Sequence, residues 1–159
     1  MTRALPRGFT LIELVVTAAI VSVLALAALP LAEAASRRAK EAELRAALRE
    51  LRTAIDAYKK AWDDGRIEHK ADDSGYPPTL RSLVEGVRDV KDARARRIYF
   101  LRRLPRDPFN DEAELASADL WGKRSYASGP DEPFEGADVY DVYSRSPAIG
   151  SNGLAYSKW

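Results

Sequence analysis

The side chains that could carry chemistry in this 159-residue chain do not form a catalytic set. The sequence has no cysteine and a single histidine, His69, and it contains neither a Gly-x-Ser-x-Gly motif nor a glycine loop able to cradle a phosphate. Hydrolase, kinase and oxidoreductase functions therefore all lack required groups. The adjacent carboxylates Asp63-Asp64 and Asp72-Asp73 lie among turn residues and are predicted to be solvated loop acids. We expect a protein that is not an enzyme.

The carboxylate whose position requires a partner is Glu13. It is the only ionisable side chain between Phe9 and Ala32, and a charge within hydrocarbon is costly unless it is paired. No Lys or Arg lies inside the segment to pair with it. Cleavage between Gly8 and Phe9 would create an α-amino group close to Glu13, where the carboxylate of a neighbouring copy could meet it. Phe9 and Glu13 are also one turn apart on the same helix and could pair internally, so an intersubunit ion pair is a hypothesis at this point.

The segment that carries Glu13 is long enough to cross a membrane. Residues 9–32 are otherwise apolar or small, and about 24 residues at about 1.5 Å each give a helix of about 36 Å. Arg3 and Arg7 precede it, so the positive-inside bias predicts a cytoplasmic N-terminus and an external domain. Two simpler interpretations stay open. One is a secretory signal cut near Ala32-Glu33-Ala34, and the other is a plain anchor in which Glu13 snorkels to the interface.

A basic leader ends in Gly8, the sequence Phe9-Thr10-Leu11-Ile12-Glu13-Leu14 follows it, and the apolar helix contains Pro30. These features together resemble the class III signal of type IV pilins and type II secretion pseudopilins. It implies that a prepilin peptidase cuts after Gly8 and methylates the amine of Phe9. It also implies that subunits assemble through the segment that holds Glu13 and Pro30, with Glu13 guiding docking.

A second pattern predicts that the helix continues beyond the membrane segment. One apolar stripe recurs at spacings of four and three, with charged residues on the other faces, and comprises Leu44, Leu48, Leu51, Ile55, Tyr58 and Trp62. One helix from about Phe9 to Trp62 is the simplest account, with a kink or local loosening at Pro30 and an end at Asp63-Asp64-Gly65. An isolated coiled coil fits the spacing equally well, but packing on the chain's own sheet is favoured.

The remainder predicts a small domain of short elements. A short helix is expected from Thr79 to about Val84, and strands at about 98–101, 124–128 and 139–144. Two segments resemble the major (G-type) pseudopilin, namely Tyr76-Pro77-Pro78-Thr79-Leu80 and Leu104-Pro105-Arg106-Asp107-Pro108-Phe109, with residues 110–120 inserted after the second. The terminal Trp159 is expected to fold back onto the core or a neighbour.

The predicted fold is α+β and pilin-like, a long N-terminal helix packed on a small antiparallel β-sheet. Residues 1–8 form the leader, 9–32 the transmembrane and assembly helix, and 33–159 a periplasmic pseudopilin domain. That domain divides into an amphipathic helix, 33–62, and a variable and β-sheet region, 63–159.

Calcium is the one ligand that the resemblance implies, because G-type pseudopilins hold a C-terminal loop with Ca²⁺ through aspartates and backbone carbonyls. The corresponding stretch here, Tyr143 to Tyr156, contains no Asp or Glu. Neutral oxygens alone hold this hard cation weakly. We therefore do not expect a bound cofactor. If calcium does bind, the candidate ligands are Asp138, Asp141, Ser144 and Asn152.

Charge and composition narrow the partners. The formal net charge is +1, which argues against a nucleic-acid partner. Residues 88–106 hold eight basic side chains against two acids, whereas 107–159 hold ten acids against four basic side chains. Two such surfaces could pair between copies, although two solvated faces explain the pattern equally well.

The resemblance implies a subunit of a periplasmic pseudopilus in type II secretion, held in the bacterial inner membrane by a single span. Its partners would be copies of itself in a helical filament, prepilin peptidase, other pseudopilins and the inner-membrane assembly platform. The alternatives are a type IV pilin for adhesion or motility and a membrane-anchored periplasmic binding module that does not polymerise. The lack of cysteine favours the pseudopilin, because type IV pilins commonly close their C-terminal region with a disulfide.

Overall fold

The computed structural model describes residues 8–69, 73–110, 112, 114–129 and 131–159, without the side chains of residues 27 and 28. Contacts divide the chain into two units, one ending at Ala39 and the other spanning Lys40–Trp159. The predictions that concern the leader up to Arg7, including orientation by Arg3 and Arg7, lie outside the described residues. So do Asp72 of the expected polar loop and positions 111 and 113 of the insertion.

Helix α1 comprises Leu11–Asp63 and contains Pro30. This confirms the prediction of one helix to within two residues at each end. Pro30 has no N–H to donate, yet the neighbouring turns keep the helix continuous; the kink stays a prediction. The helix ends as expected at Gly65, whose positive φ of 66° lets Arg66 N–H donate to the Ala61 carbonyl oxygen at 2.9 Å.

The apolar stripe of α1 forms one side of the core of the Lys40–Trp159 unit. Leu44, Leu51 and Ile55 are almost completely buried there. The opposite side is supplied by residues far along the chain, namely Leu80, Leu83, Trp121, Val142 and Tyr156. The stripe is thus covered by the chain's own domain, as predicted for packing in cis.

The remaining elements are short. They are α2 Ser82–Glu85, β1 Val87–Arg88, β2 Arg97–Ile98, β3 Trp121–Arg124, β4 Asp141–Ser144 and a 3-10 helix Tyr156–Lys158. Strands β1 and β2 pair antiparallel, and so do β3 and β4, with Trp121 opposite Ser144 and Arg124 opposite Asp141. The α+β, pilin-like architecture is therefore confirmed, with two small sheets in place of the single sheet expected.

Strand β3 ends where the predicted strand 124–128 begins. Trp121 explains the difference, because its ring is buried in the core and its Nε1–H donates to the Pro105 carbonyl oxygen at 3.0 Å. After Arg124 the backbone turns, and the Asp138 carboxylate accepts hydrogen bonds from the Ser125 hydroxyl and the Tyr126 N–H. Burial of one large side chain outweighed the β propensity of Tyr126.

The described part of the 110–120 insertion packs onto the domain. Ala118 and Leu120 are buried, and the Arg106 guanidinium donates to the carbonyl oxygens of Glu112 and Leu115. Trp159 is half-buried against the core cluster, which agrees with the expectation that it folds back.

Candidate processing and assembly site

The Gly8–Phe9 junction lies immediately before α1. Phe9 is 84% exposed. A Cβ placed on Gly8 would have no neighbour within 4 Å among the described residues. The described fold therefore gives no reason for glycine at position 8. A requirement for a small residue there would come from an enzyme that handles the junction.

Thr10 and Glu13 form a reciprocal cap at the start of α1. The Glu13 N–H donates to Thr10 Oγ1 at 3.3 Å. In return, Glu13 Oε2 accepts from the Thr10 N–H at 3.1 Å and from the Thr10 hydroxyl at 2.9 Å. This is the capping box of a Thr-x-x-Glu sequence, which satisfies N–H groups that the first turn leaves without partners. This role of Thr10 was not predicted from the sequence, although the Thr-x-x-Glu pattern was its signal.

The cap uses one of the two carboxylate oxygens of Glu13. Among the described residues, Oε1 accepts no hydrogen bond, whereas Oε2 is held by Thr10. One oxygen is thus held within α1, and the other accepts no hydrogen bond from the described residues. Glu13 can consequently serve as a cap and as a docking group at the same time.

The polar side chains within the apolar part of α1 are satisfied along the helix. The Thr17 hydroxyl donates to the Glu13 carbonyl oxygen at 2.8 Å, and the Ser22 hydroxyl donates to the Ala18 carbonyl oxygen at 2.7 Å. In hydrocarbon an unpaired hydroxyl would be costly, because no water is available to it. These internal bonds make the segment compatible with a membrane.

Large apolar side chains cover the N-terminal part of α1, and all of them are at least half exposed. They include Leu11, Ile12, Leu14, Val15, Val16, Ile20, Val21, Val23, Leu24, Leu26, Leu29 and Leu31, with Pro30 in the same run. Among the described residues, α1 is long and apolar enough to cross a bilayer, judged by length and composition. Such a continuous apolar surface is typical of membrane or protein contact.

The two candidate calcium carboxylates already bind protein donors. Asp138 accepts at 2.9 Å from Ser125 Oγ and at 2.8 Å from the Tyr126 N–H. Asp141 Oδ1 accepts at 2.8 Å from Arg52 Nε. These carboxylate oxygens accept hydrogen bonds from the protein's own donors. The Arg52 guanidinium already supplies a positive charge beside Asp141, in the place where a cation would be needed.

The two neutral candidates are separately engaged. The Ser144 hydroxyl donates to the buried Asp107 carboxylate at 2.6 Å, and Asn152 Oδ1 accepts from the Leu154 N–H at 3.1 Å. The four candidates share no hydrogen-bond partner, and the described part of the chain contains no group of three or more acidic or histidine side chains suited to a metal. They do not fit a common calcium site.

Asp107 acquires a clear role from these contacts. It belongs to the segment that resembles the pseudopilin signature, and it is buried in the core. Its carboxylate accepts from Ser144 Oγ of β4 and from the Phe109 N–H at 2.9 Å. Asp107 thus ties the chain that precedes the insertion to the second sheet.

Glu41, a buried carboxylate that was not predicted from the sequence, contacts the C-terminal residues. Its oxygens accept hydrogen bonds from Ser151 and Tyr156. A signal for it was present, because Glu41 precedes Leu44 and Leu48 by three and seven residues and so lies on the buried stripe of α1.

The two acids within the basic stretch 88–106 are held by local donors. Hydrogen bonds from the Arg66 guanidinium, the shorter at 2.6 Å, keep the pKa of Asp89 below its ordinary value. The pKa of Asp92 is lowered by the backbone N–H of Arg94 and then by the side chain of Arg96. Both acids therefore remain anionic at neutral pH.

Because Asp89 and Asp92 are already bonded to nearby arginines, the remaining charged side chains of residues 88–106, all basic, are not balanced by acids of the same stretch. Arg88 and Arg97 lie directly opposite each other across β1 and β2 and are exposed, and neither has an ion pair among the described residues. Like charges in this position repel. Whether this basic surface pairs with acids of another copy or is a solvated face stays open, as it was from the sequence.

Residues 4–29 match the prokaryotic N-terminal methylation motif, a segment that includes Gly8, Phe9 and Glu13 and ends before Pro30. No curated protein and no solved structure matched the chain. The motif lies at the start of α1, whose exposed apolar segment fits a membrane anchor by length and composition. The N-terminal segment therefore resembles that of type IV pilin-like substrates of prepilin peptidase, and the match is confined to this part of the chain.

Proposed function

We propose that the chain is a structural subunit of a periplasmic pseudopilus in type II protein secretion. The observation that carries this proposal is the methylation motif at the start of a long helix with an exposed apolar surface. The peptidase would cut after Gly8 and methylate Phe9. The apolar part of α1 would then keep the subunit in the bacterial inner membrane as a single span, with residues 33–159 in the periplasm.

Assembly would use both oxygens of Glu13. Cleavage gives Phe9 a charged amine, and methylation of an amine preserves its charge. Glu13 Oε2 stays with Thr10 in the cap, while Oε1 receives the Phe9 amine of the adjacent subunit. Because the pair forms between copies, it would set the axial register of the filament, and the charge of Glu13 would be neutralised within hydrocarbon. Pro30 would lie in the same assembly helix.

Two features favour a pseudopilin over a type IV pilin for adhesion or motility. The sequence has no cysteine with which to close the C-terminal region. In addition, segments 76–80 and 104–109 resemble the major pseudopilin. The expected partners are further copies, other pseudopilins and the inner-membrane assembly platform. A membrane-anchored periplasmic module that does not polymerise is the candidate from a different class.

The first test is the mass of the mature protein isolated from membranes. We expect a chain that begins at N-methylated Phe9, because the junction is exposed and preceded by glycine. Gly8→Ala should slow cleavage partly, whereas Gly8→Leu should block it, and a Cβ at this position would meet nothing within 4 Å among the described residues. Gly129→Leu is the matched control, since a Cβ on Gly129 would also meet nothing within 4 Å among the described residues and Gly129 lies in the domain.

Two results would contradict the processing step. A mature chain that begins at or after Glu33 would establish an ordinary secretory signal. Normal maturation of Gly8→Leu would show that the junction is not recognised through the small residue. Cross-linking of the processed protein then separates the classes, because a subunit that never yields multimers would be an anchored module.

A further inference from the structure

The C-terminal residues of the domain form a closed loop, which we define as residues 149–155. Ile149 and Ala155 form an isolated antiparallel bridge, and the Gly150 N–H donates to the Leu154 carbonyl oxygen at 2.8 Å. Gly153 has a φ of 80° and its N–H donates to the Gly150 carbonyl oxygen. These bonds close the loop on itself but leave the N–H and hydroxyl of Ser151 to be satisfied elsewhere.

Glu41 of α1 supplies the acceptor for those donors. Its side chain is only 2% exposed. Oε1 accepts from the Ser151 N–H at 2.8 Å and from the Tyr156 hydroxyl at 3.1 Å, and Oε2 accepts from the Ser151 hydroxyl at 2.5 Å. The partners lie 110 and 115 residues further along the chain. A charged acceptor makes hydrogen bonds that are stronger than those between neutral groups.

Aromatic contacts fix the position of the Tyr156 hydroxyl. Tyr156 is completely buried, and its ring stacks on Phe109 with centroids 4.1 Å apart. Trp159 meets it edge to face at 4.9 Å and lies under the Arg45 guanidinium at 4.3 Å. Since Arg45 follows Glu41 by one helical turn, the same part of α1 contacts both Ser151 in the loop and Trp159 at the C-terminus.

The loop therefore presents hydrogen-bond donors to an anion. A bound Ca²⁺ would require several oxygen ligands directed at one point, whereas Ser151 directs an N–H and an O–H at Glu41. The carboxylates that could have served a cation, Asp138 and Asp141, receive their own donors elsewhere.

We infer that Glu41 is the residue that positions the C-terminal loop, in the role that calcium has in the G-type pseudopilins that the chain resembles. The loop is consequently ordered without a divalent cation, and the domain's stability does not depend on calcium in its surroundings. This concerns the folded domain and is independent of whether the subunit is processed or polymerises.

The test is amide hydrogen exchange, read by mass spectrometry, on the full-length protein in detergent. Glu41→Gln keeps the size of the side chain but replaces the charged acceptor. Loss of a hydrogen bond to a charged group should speed exchange in peptides that cover 149–155 by ~10- to 100-fold. Peptides from the middle of α1 should be unaffected. Glu43→Gln is the matched control, because Glu43 is an exposed glutamate on the same helix.

A second experiment tests whether the domain binds calcium, with Ca²⁺ as the only added ligand. The wild-type protein should show the same melting temperature and the same loop exchange in EDTA and in millimolar Ca²⁺. A melting temperature that rises with Ca²⁺ would reveal binding to the native state and would overturn the inference. So would Glu41→Gln with wild-type exchange in the loop.

Two further variants keep the test decisive if Glu41→Gln does not fold. Ser151→Ala removes the hydroxyl and keeps the N–H, and Tyr156→Phe removes only the phenolic donor. Each should speed loop exchange less than loss of the carboxylate, with the fold retained. Wild-type loop exchange in both would show that Glu41 does not hold the loop.

Discussion

Replacement of Glu13 separates its two roles, because the cap and the charge can be removed independently. Glu13→Ala removes both. Loss of an N-cap interaction costs about 1 kcal/mol of helix stability, while removal of a charge from a membrane segment favours insertion by up to about 3 kcal/mol. Insertion should therefore be unchanged or improved. Any failure of Glu13→Ala to assemble cannot then be attributed to a failure to enter the membrane.

Glu13→Gln isolates the charge. Its amide oxygen can still accept from the Thr10 N–H and hydroxyl, so the cap survives, but the ion pair with the Phe9 amine of the neighbouring subunit is lost. Breaking a buried charge pair costs about 2–5 kcal/mol at each contact, which weakens each subunit contact roughly 30-fold or more. Thr10→Val is the matched variant, because it removes the hydroxyl of the cap and keeps the charge.

The assay has three readings: the mass of the mature chain, the yield of cross-linked or sheared filaments, and the rate of secretion. Docking through Glu13 requires Glu13→Gln to be processed but not assembled, and Thr10→Val to assemble nearly normally. If Thr10→Val fails and Glu13→Gln assembles, capping is the essential role and the docking reasoning is refuted. An unprocessed Glu13→Ala protein would instead assign the residue to recognition by the peptidase.

Two further predictions concern the domain. Leu51→Ala should lower the free energy of unfolding by about 2–5 kcal/mol, because Leu51 is completely buried in the core. Leu154→Ala is the control, and because Leu154 is 54% exposed it should change that free energy by less than about 0.5 kcal/mol. Equal effects of the two substitutions in denaturant titrations of the full chain would contradict this packing. Stability should also fall in acid through Asp89, whose pKa is lower in the folded protein than its ordinary value of 3.8 because of Arg66. The contribution of Asp89 to the free energy of unfolding is complete above that ordinary value and is lost as the pH falls through the folded-state pKa. Asp89→Asn should therefore flatten the plot of stability against pH between about pH 5 and pH 2. An unchanged plot would show that the ion pair with Arg66 contributes nothing to stability.

Structural features that depend on the spacing of neighbouring residues could be predicted from the sequence. The apolar run of residues 9–32 indicated a helix able to cross a bilayer, and the stripe from Leu44 to Tyr58 indicated which face of α1 is buried. Both depend only on the period of an α-helix and the length of the segment, so neighbouring residues suffice. The Thr10–Glu13 cap was equally local and could have been predicted in the same way.

Pairings between distant residues depended on the tertiary structure. Strand β3 is placed by the burial of Trp121, and its pairing with β4 moves the strand several residues from the position that β propensity favoured at Tyr126. The partners of Glu41 were likewise hidden, because a glutamate on an apolar stripe signals only that some donor must reach it. The sequence alone determined the helix, its exposed apolar segment and its processing motif, since those follow from residues one or two turns apart. Only the tertiary structure decided that the C-terminal loop presents donors to Glu41, since that contact joins residues 110 positions apart, a separation over which no helix or strand period relates one residue to the other.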